Sequence, residues 1–341
     1  MFPSVSLKSF NTFGLSQSCN RLERIQSQEQ LLTVLRELKQ SNAPFLVLGG
    51  GSNVVFTEDF DGTVLQMAIQ GIQVYEEEEC FRLEVAAGVN WHQLVCFTLE
   101  NGMPGLENLA LIPGTAGAAP IQNIGAYGVE FCDVCDWVEY LDIGSMTKHR
   151  ITAAECHFGY RDSIFKHALK NKVIICGIGI RLAKAWSPKV SYGPLSELPV
   201  KDLTPKAVFD RVVAIRRQKL PDPEVLGNAG SFFKNPIVEA AQYAELAVRF
   251  PQIVGYGMED GRVKLAAGWL IEQAGLKGFK LGQAGVHEQQ ALVLVNLGSA
   301  TGADICALAR LVMQRVQEKF AVRLEAEPNI IGHQQLEAEN E

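Results

Sequence analysis

Apolar side chains recur every three or four residues in several stretches of the chain, which is the spacing of one buried face of an α-helix. The first repeat starts directly after a capping box made by Ser27 and Gln30. Asn90 and Thr204 are cap residues for two further stretches, and the proline after Thr204 suits a first helical turn. The pattern predicts helices over residues 27–38, 90–100, 204–216, 238–250, 265–274 and 301–320.

Shorter apolar runs without helical spacing predict strands. The earliest run follows the first helix and leads into a glycine loop, which indicates a small β-α-β unit near the N-terminus. In the last run, alternation places Arg323, Glu325 and Glu327 on one face. Strands are predicted over residues 45–48, 54–56, 63–66, 81–87, 137–143, 173–182, 291–296 and 322–331.

Two glycine-rich loops interrupt this pattern. Residues 49–53 read Gly-Gly-Gly-Ser-Asn, but Val54 replaces the third glycine of a Rossmann fingerprint and the Lys of a Walker loop is missing. This loop is either a tight strand connection or a set of backbone N–H groups that cradles a diphosphate. Residues 112–127 form a longer, apolar loop of the kind that is usually functional. Together the loops predict one large ligand with a diphosphate end and an aromatic end.

A third stretch, residues 227–236, places a serine and a lysine among glycines and phenylalanines. Ser231 is a candidate nucleophile, a proton donor or a turn hydrogen-bonding group. The hydrolase elbow is excluded, because Phe233 occupies the position of its second glycine. Lys234 has no assigned role at this point.

The charge and composition of the chain indicate which classes of partner to expect. The net charge of −7 does not favour a nucleic acid, although Arg216, Arg217 and Lys219 form a local basic cluster that suits a small anion. No apolar run approaches the roughly 18 residues of a membrane span, and the N-terminus lacks a signal-peptide pattern. Of eight cysteines only Cys132 and Cys135 have Cys-x-x-Cys spacing, so no metal site is predicted. We expect a cytoplasmic protein with reduced cysteines and no membrane partner.

Six motifs in chain order carry a resemblance to a known family. They are Gly-Gly-Gly-Ser-Asn (49–53), Ile-Pro-Gly-Thr-Ala-Gly (112–117), Asn-Ile-Gly-Ala-Tyr-Gly (123–128), Phe-Gly-Tyr-Arg-Asp-Ser (158–163), Asn-Ala-Gly-Ser-Phe-Phe-Lys-Asn-Pro (228–236) and Lys-Leu-Ala-Ala-Gly-Trp-Leu-Ile (264–271). Together they resemble UDP-N-acetylenolpyruvoylglucosamine reductases, the flavin enzymes that complete UDP-N-acetylmuramic acid for peptidoglycan. The resemblance covers residues 11–331, and the tyrosine segment 191–195 is similar to the longer subclass.

The resemblance implies an α+β fold, with an FAD-binding domain of the vanillyl-alcohol-oxidase/PCMH type and a smaller α+β substrate-binding domain. The expected FAD-binding region is 1–220, made of a β-α-β subdomain (1–70) and a second subdomain (71–220). Residues 221–320 are expected to bind substrate, and residues 321–341 to hold the final strand and a polar tail. The implied cofactor is non-covalent FAD with NADPH as reductant, the implied substrate is a UDP-sugar enolpyruvyl ether, and a monomer is expected.

The resemblance also implies site residues. Arg161 is expected to bind the substrate carboxylate, Ser231 to donate a proton and Glu327 to act as a second acid. Glu325 stays an alternative to Glu327, because Ala326 replaces the proline that the family pattern has between them. The expected FAD-binding residues are Gly49, Gly50, Gly51, Ser52, Asn53, Pro113, Gly114, Gly117, Ala118, Ile121, Ile124, Gly125, Tyr127 and Arg161. The expected substrate-binding residues are Tyr192, Lys219, Asn235 and Gln290, with His287 unassigned.

Two other functions compete with this one. An FAD oxidase or dehydrogenase of the same fold often tethers its flavin through His or Cys, and residues 49–53 contain neither. A non-catalytic nucleotide-binding module has no need for Arg161, Ser231 and a strand-borne glutamate together.

Overall fold

The structure, a computed structural model, describes residues 4–333 and 336. Its chain divides into two compact units. Unit 1 contains Asn20–Gly50 and Asp61–Gln218, and unit 2 contains Ser4–Cys19, Gly51–Phe60 and the residues from Lys219 onward. The domain boundaries predicted from the sequence stay a prediction. No helix within the described residues is long and apolar enough to cross a membrane.

The helices of the described residues are α1 (Gln28–Ser41), α2 (Trp91–Glu100), α3 (Pro205–Lys219), α4 (Ala240–Arg249), α5 (Ala267–Gln273) and α6 (Gly302–Phe320). The strands are β1 (Val5–Ser6), β2 (Ser18–Ile25), β3 (Phe45–Leu48), β4 (Val54–Phe56), β5 (Phe60–Met67), β6 (Ile72–Glu76), β7 (Cys80–Ala86), β8 (Gly125–Ala126), β9 (Val129–Glu130), β10 (Cys135–Asp142), β11 (Lys148–Thr152), β12 (Val173–Ala183), β13 (Asn228–Ser231), β14 (Ile237–Val238), β15 (Gly255–Gly257), β16 (Val263–Leu265), β17 (Lys280–Leu281), β18 (Ala284–Val286), β19 (Val293–Asn296) and β20 (Asn329–Ile331).

Unit 1 is built around a five-stranded antiparallel sheet in the order β11-β10-β12-β7-β6. Ile178 and Ile180 of β12 belong to the core formed with α2 and α3, whereas Ile174 and Cys176 belong to the core formed with α1. Both faces of β12 are therefore buried, which explains its nearly unbroken apolar sequence.

The helix caps follow the sequence, with one difference. Asn90 and Ser27 accept hydrogen bonds from the backbone N–H groups three residues on, as predicted. The side chain of Gln30, however, accepts the N–H of Gln26 at 2.8 Å, whereas a capping box requires the N–H of Ser27. The full reciprocal box occurs at the start of α6, between Thr301 and the residue three positions later.

Unit 2 contains a four-stranded sheet in the order β13-β19-β18-β17 with α6 in the same core. Ile305, Leu308, Val312 and Val316 are buried at helical spacing along α6. Burying each such side chain contributes about 1.5–3 kcal/mol, so this helix anchors the unit.

The predicted strand over residues 322–331 is wrong in extent. Only β20 forms a ladder, pairing in parallel with β4, and Ala326 makes an isolated bridge with Phe233. Pro328 lies between these two pairings and has no N–H to donate to a continuous ladder. The predicted polar tail falls largely outside the described residues, since 334, 335 and 337–341 are not described.

Candidate active site

The two glycine loops approach each other within unit 1. A Cβ on Gly50 would lie 3.0 Å from the Cα of Gly114, and one on Gly49 would lie 2.7 Å from Thr115 Oγ1 and 3.7 Å from the Cβ of Ala118. Gly114 has φ 111°, which L side chains rarely adopt. Bulkier residues would separate the two loops, so the glycines keep both backbones open to one ligand.

Gly117 lies in the short 3₁₀ turn Ala116–Ala118 and packs directly on the backbone of Ala87. Its N–H donates to the Ala87 carbonyl at 2.9 Å, and an added Cβ would lie 2.6 Å from the Ala87 Cβ. Pro113, before the turn, is exposed. The turn is therefore attached to β7 at a distance that only glycine allows.

Unit 2 carries the second half of the first loop. Gly51 has φ 67° and its carbonyl accepts the N–H of Thr12 at 3.0 Å. Ser52 is half-buried in the turn. Asn53 Nδ2 donates to the carbonyl of Glu327 at 3.3 Å. The Asn53 side chain therefore connects the glycine loop of residues 49–53 to the segment that contains Glu327.

Asn123 organises the middle of the second loop. Its buried amide donates to Glu130 Oε2 at 2.9 Å and to the Gly159 carbonyl at 3.0 Å, and its backbone has φ 44°. Ile124 beside it is buried, and the carbonyl of Ile121 accepts the Ser163 hydroxyl at 2.7 Å. The loop is thus attached to the segment that contains Arg161.

Arg161 occupies a strained turn. It has φ 53° between Gly159 and Asp162, which bond to each other through both backbone N–H groups. Its Nη2 donates to the carbonyl of Gly125 at 2.8 Å, and its side chain is only 18 % exposed. A Cβ on Gly125 would lie 3.1 Å from Arg161 Nη1, so glycine is needed here to admit the guanidinium.

Arg216 is a second guanidinium that the sequence analysis named only as part of a basic cluster. It follows Val208 and Val212 on the buried side of α3. Its Nη2 donates to the carbonyl of Leu111 at 3.2 Å, while its enclosed Nε has no hydrogen-bond partner among the described residues. A charged residue on a buried helical face was the signal in the sequence.

Charge and burial couple Arg216 to its neighbours. Burial lowers the pKa of Arg216; Tyr127 raises it and Arg161 lowers it further. Burial raises the pKa of the Tyr127 phenol, an effect that Arg216 opposes. Tyr127 has φ 51°, and its ring meets that of Tyr192 edge-on at 6.4 Å. Tyr192 is 41 % exposed, as expected for a residue that contacts an incoming ligand.

In unit 2, Ser231 ends β13 and leads into a short antiparallel pairing. Glu327 N–H donates to the carbonyl of Phe232 at 2.9 Å, and Lys234 N–H donates to that of Glu325 at 2.9 Å. Phe232 is itself fully buried. This pairing sets Glu327 opposite Phe232, the residue that follows Ser231, although the two segments are far apart in sequence.

The two glutamates have different surroundings. Glu325 Oε2 accepts a 2.9 Å ion pair from Lys234 Nζ and its side chain is 59 % exposed. Glu327 is half-buried and flanked by the Asn53 contact. Lys234, 22 % exposed, thereby gains a structural partner.

The three remaining predicted substrate contacts lie on separate elements. Lys219 is the exposed last residue of α3. Asn235 Oδ1 accepts the Ala267 N–H at 2.9 Å at the start of α5, and Gln290 Oε1 accepts the Leu292 N–H at 3.4 Å. The structure shows both amide oxygens in local backbone contacts.

His287 and the cysteine pair add little to the site. His287 Nδ1 is enclosed without a hydrogen-bond partner among the described residues, and burial lowers the pKa of the ring while Glu288 raises it. Burial raises the pKa of both Cys132 and Cys135, which disfavours thiolate chemistry at this pair.

These features fit an FAD site. Gly50 and Gly114 let the two loop backbones come together without side chains between them, which suits a diphosphate or a flat ring that the backbone must approach closely. The enclosed Nε of Arg216 lacks a partner, and such a group suits an oxygen acceptor on a ligand. The class that these loops define is an FAD-binding oxidoreductase, and a model of the FAD binding domain matches residues 21–147.

Comparison with known proteins identifies the family within this class of FAD-binding oxidoreductases. A model of the C-terminal domain of UDP-N-acetylenolpyruvoylglucosamine reductase matches residues 222–331. The reductase of this name from Shewanella sp. (strain ANA-3) is 62% identical over 327 residues, covering 96% of both chains. The Salmonella typhi reductase is 51% identical over 327 residues, with 96% of both chains covered. The chain belongs to the family of UDP-N-acetylenolpyruvoylglucosamine reductases.

Solved structures agree with the fold. The crystal structure of the Thermus caldophilus reductase matches with a TM-score of 0.67 and 25% identity, covering 97% of this chain and 99% of that one. A VAO-type flavoprotein from Myceliophthora thermophila matches with a TM-score of 0.51 and 12% identity, covering 92% of this chain and 73% of that one. The predicted α+β fold with a VAO/PCMH-type FAD domain, and the predicted use of FAD with NADPH, are confirmed.

Proposed function

We propose that this chain reduces the enolpyruvyl group of UDP-N-acetylglucosamine enolpyruvate to a lactyl ether, giving UDP-N-acetylmuramate, with Ser231 as proton donor. Bound FAD would supply the hydride chemistry that links NADPH to the enolpyruvyl methylene carbon. Addition of hydride there leaves negative charge on the carboxylate and on the neighbouring carbon. The protein must therefore stabilise an enolate and then deliver one proton.

Arg161 meets the first requirement. A guanidinium offers two parallel N–H donors that match a carboxylate, and its charge stabilises the enolate more than the ground state. The bond from Nη2 to the Gly125 carbonyl holds the group at 2.8 Å, so it is oriented before substrate binds. Arg216 provides a second positive charge in the same unit.

Ser231 and Glu327 are assigned to the second requirement. The observation that supports this assignment is the hydrogen bond from Glu327 N–H to the carbonyl of Phe232, the residue after Ser231. A hydroxyl is a weak acid, so it must be positioned by its surroundings against a strongly basic carbon. Glu327 is favoured over Glu325 as the second acid, because Lys234 already neutralises Glu325.

The proposal assigns the remaining predicted residues to binding. Tyr192 covers the UDP-sugar, and Lys219, Asn235 and Gln290 bind its diphosphate or sugar. The glycine loops and residues 121–127 bind FAD. We also infer that residues 1–220 form the FAD-binding region and residues 221–320 the substrate-binding region.

An anaerobic two-stage reaction tests the function. The purified flavoprotein is reduced with one equivalent of NADPH, and UDP-N-acetylglucosamine enolpyruvate is then added. We expect the visible flavin absorption to bleach in the first stage and to return in the second, with UDP-N-acetylmuramate as product.

Two outcomes would contradict the proposal. Return of the absorption only with dioxygen, with no enolpyruvyl reduction, would favour an oxidase of the same fold. A protein that neither retains nor rebinds FAD would favour a nucleotide-binding module.

A further inference from the structure

The first turn of α2 holds the start of the second glycine loop through three hydrogen bonds. Trp91 N–H donates to the Gly114 carbonyl and Trp91 Nε1 to the Leu109 carbonyl, both at 3.1 Å. The N–H of Leu111 donates to His92 Nδ1, also at 3.1 Å. Of these bonds only the one to His92 depends on a titratable side chain.

Leu111 is strained and needs that support. Its φ of 56° lies in the left-handed region, which is unfavourable for a residue that carries a Cβ. His92 accepts its N–H, and Arg216 Nη2 donates to its carbonyl at 3.2 Å. The two side chains therefore hold the two peptide groups on either side of the Leu111 Cα.

The His92 ring is itself fixed. It stacks on Phe209 of α3 at 5.8 Å with an interplanar angle of 8°. Because Nδ1 accepts from Leu111, the neutral ring carries its proton on Nε2, which lies 3.8 Å from Cys96 Sγ. His92 thus joins α2, α3 and the loop through one tautomer.

We propose that His92 is a positioning residue for FAD binding: by holding Leu111 it keeps the Leu111 carbonyl on Arg216 and orients the Arg216 guanidinium. This inference depends on the proposed function in one respect: the ligand of the Arg216 guanidinium is taken to be an oxygen acceptor of bound FAD. Without His92, Leu111 loses the partner of its N–H and relaxes from the left-handed region. Arg216 then loses the only hydrogen bond that the structure shows for its side chain among the described residues.

Protonation of His92 should have the same effect as its loss. An imidazolium cannot accept the Leu111 N–H, since both of its nitrogens carry protons. The groups that face the ring are Cys96 on α2 and Arg216 and Arg217 on α3. Burial, then Arg217 and Arg216, hold the pKa of His92 below its usual range, so the ring is a neutral acceptor at neutral pH.

FAD binding to the apoprotein tests the proposal. Two variants separate the acceptor from the packing: H92F keeps a ring against Phe209 but has no acceptor, whereas H92N retains an acceptor oxygen close to the Nδ1 position. We expect H92F to bind FAD about tenfold more weakly than wild type, the effect of one lost hydrogen bond with its donor left buried. H92N should stay within about twofold to threefold of wild type.

The pH profile gives a readout that simple packing would not move. Wild-type FAD affinity should fall as the pH is lowered from neutral through the His92 pKa, because the imidazolium that forms cannot accept the Leu111 N–H. The decrease in FAD affinity that is due to protonation of His92 should be absent from both H92F and H92N. Thermal unfolding of each apoprotein shows whether it is folded, and H92L, which also lacks an acceptor, replaces H92F if that variant does not unfold cooperatively.

The proposal is overturned if H92F binds FAD like wild type, if H92N is as weak as H92F, or if all proteins share one pH profile. These outcomes are independent of turnover. If the enolpyruvyl substrate were not reduced at all, FAD affinity would still report on His92, so failure of the proposed function can be told apart from failure of this inference.

Discussion

Unit 1 presents positive charge from a strained backbone, whereas unit 2 presents a hydroxyl and a carboxylate from paired strand segments. Leu111, Asn123, Tyr127 and Arg161 all have positive φ in unit 1. In the described part of unit 2, Ala321 is the one non-glycine residue with positive φ, and it ends α6 away from the proposed acids.

The difference shows how each kind of group is kept in place. A guanidinium that is removed from water must be held by fixed carbonyl groups, and strained turns aim those carbonyls. The segments that carry the serine and the glutamate are positioned by backbone hydrogen bonds, which join residues 232–234 to 325–327. Variants in the two units should therefore fail at different steps.

The largest effect is expected for Ser231→Ala. Flavin reduction by NADPH should stay near the wild-type rate, while reoxidation by the enolpyruvyl substrate falls about 10³-fold, because a proton is needed only in the second stage. Stopped-flow absorption measures both stages separately. Equal loss in the two stages would refute Ser231 as proton donor.

Arg161→Lys should lower kcat/KM by about 10²-fold. An ammonium lacks the planar fork of the guanidinium, and its charge lies at a different position from that of the guanidinium. Steady-state kinetics with the UDP-sugar give the number, and circular dichroism confirms that the variant is folded. Near-normal turnover would remove Arg161 as the group that binds the carboxylate.

The glutamates of unit 2 provide a matched pair. Glu327→Gln should slow reoxidation by about 10²-fold, the lower range for a lost acid–base group. Glu325→Gln should leave the rate nearly unchanged and cost at most about 1 kcal/mol of stability, since it breaks an exposed ion pair. The reverse ranking, measured by the same stopped-flow reoxidation, would exchange the two assignments.

Gly117→Ala tests the close packing of unit 1 without removing a polar group. The new Cβ would lie 2.6 Å from that of Ala87, so we expect about 1–3 kcal/mol of destabilisation and weaker FAD binding. Gly257→Ala is the control, because a Cβ there meets nothing within 4 Å. Thermal unfolding and FAD titration distinguish the two, and equal effects would argue against a tight requirement at Gly117.

Much of the local structure was predictable. The caps at Ser27 and Asn90, the apolar spacing along α6 and the glycine loops all depend on residues close in sequence. Their hydrogen bonds and turns form over one or two helical turns or a single loop, so composition and spacing are sufficient. The six motifs in order also identified the family, which the relatives confirm.

Longer-range features were missed or left open for a common reason. Alternation could not separate Glu325 from Glu327, because the difference comes from Lys234 on another segment. Arg216 likewise donates to the carbonyl of Leu111, which is 105 residues away in the sequence. Each depends on a partner that the local sequence does not specify.

By itself the sequence determined the helices, the loops that need glycine and the flavin family, because these follow from steric limits and periodicity within short segments. The tertiary structure decided the partners of the charged groups. It determines which carbonyl orients Arg161 and that Leu111 is the residue that joins His92 to Arg216. It also determines that Glu325 is the glutamate in an ion pair with Lys234. A hydrogen bond or ion pair forms only where folding brings both partners to within a few ångströms of each other. The sequence of one segment does not specify which distant residue will lie that close.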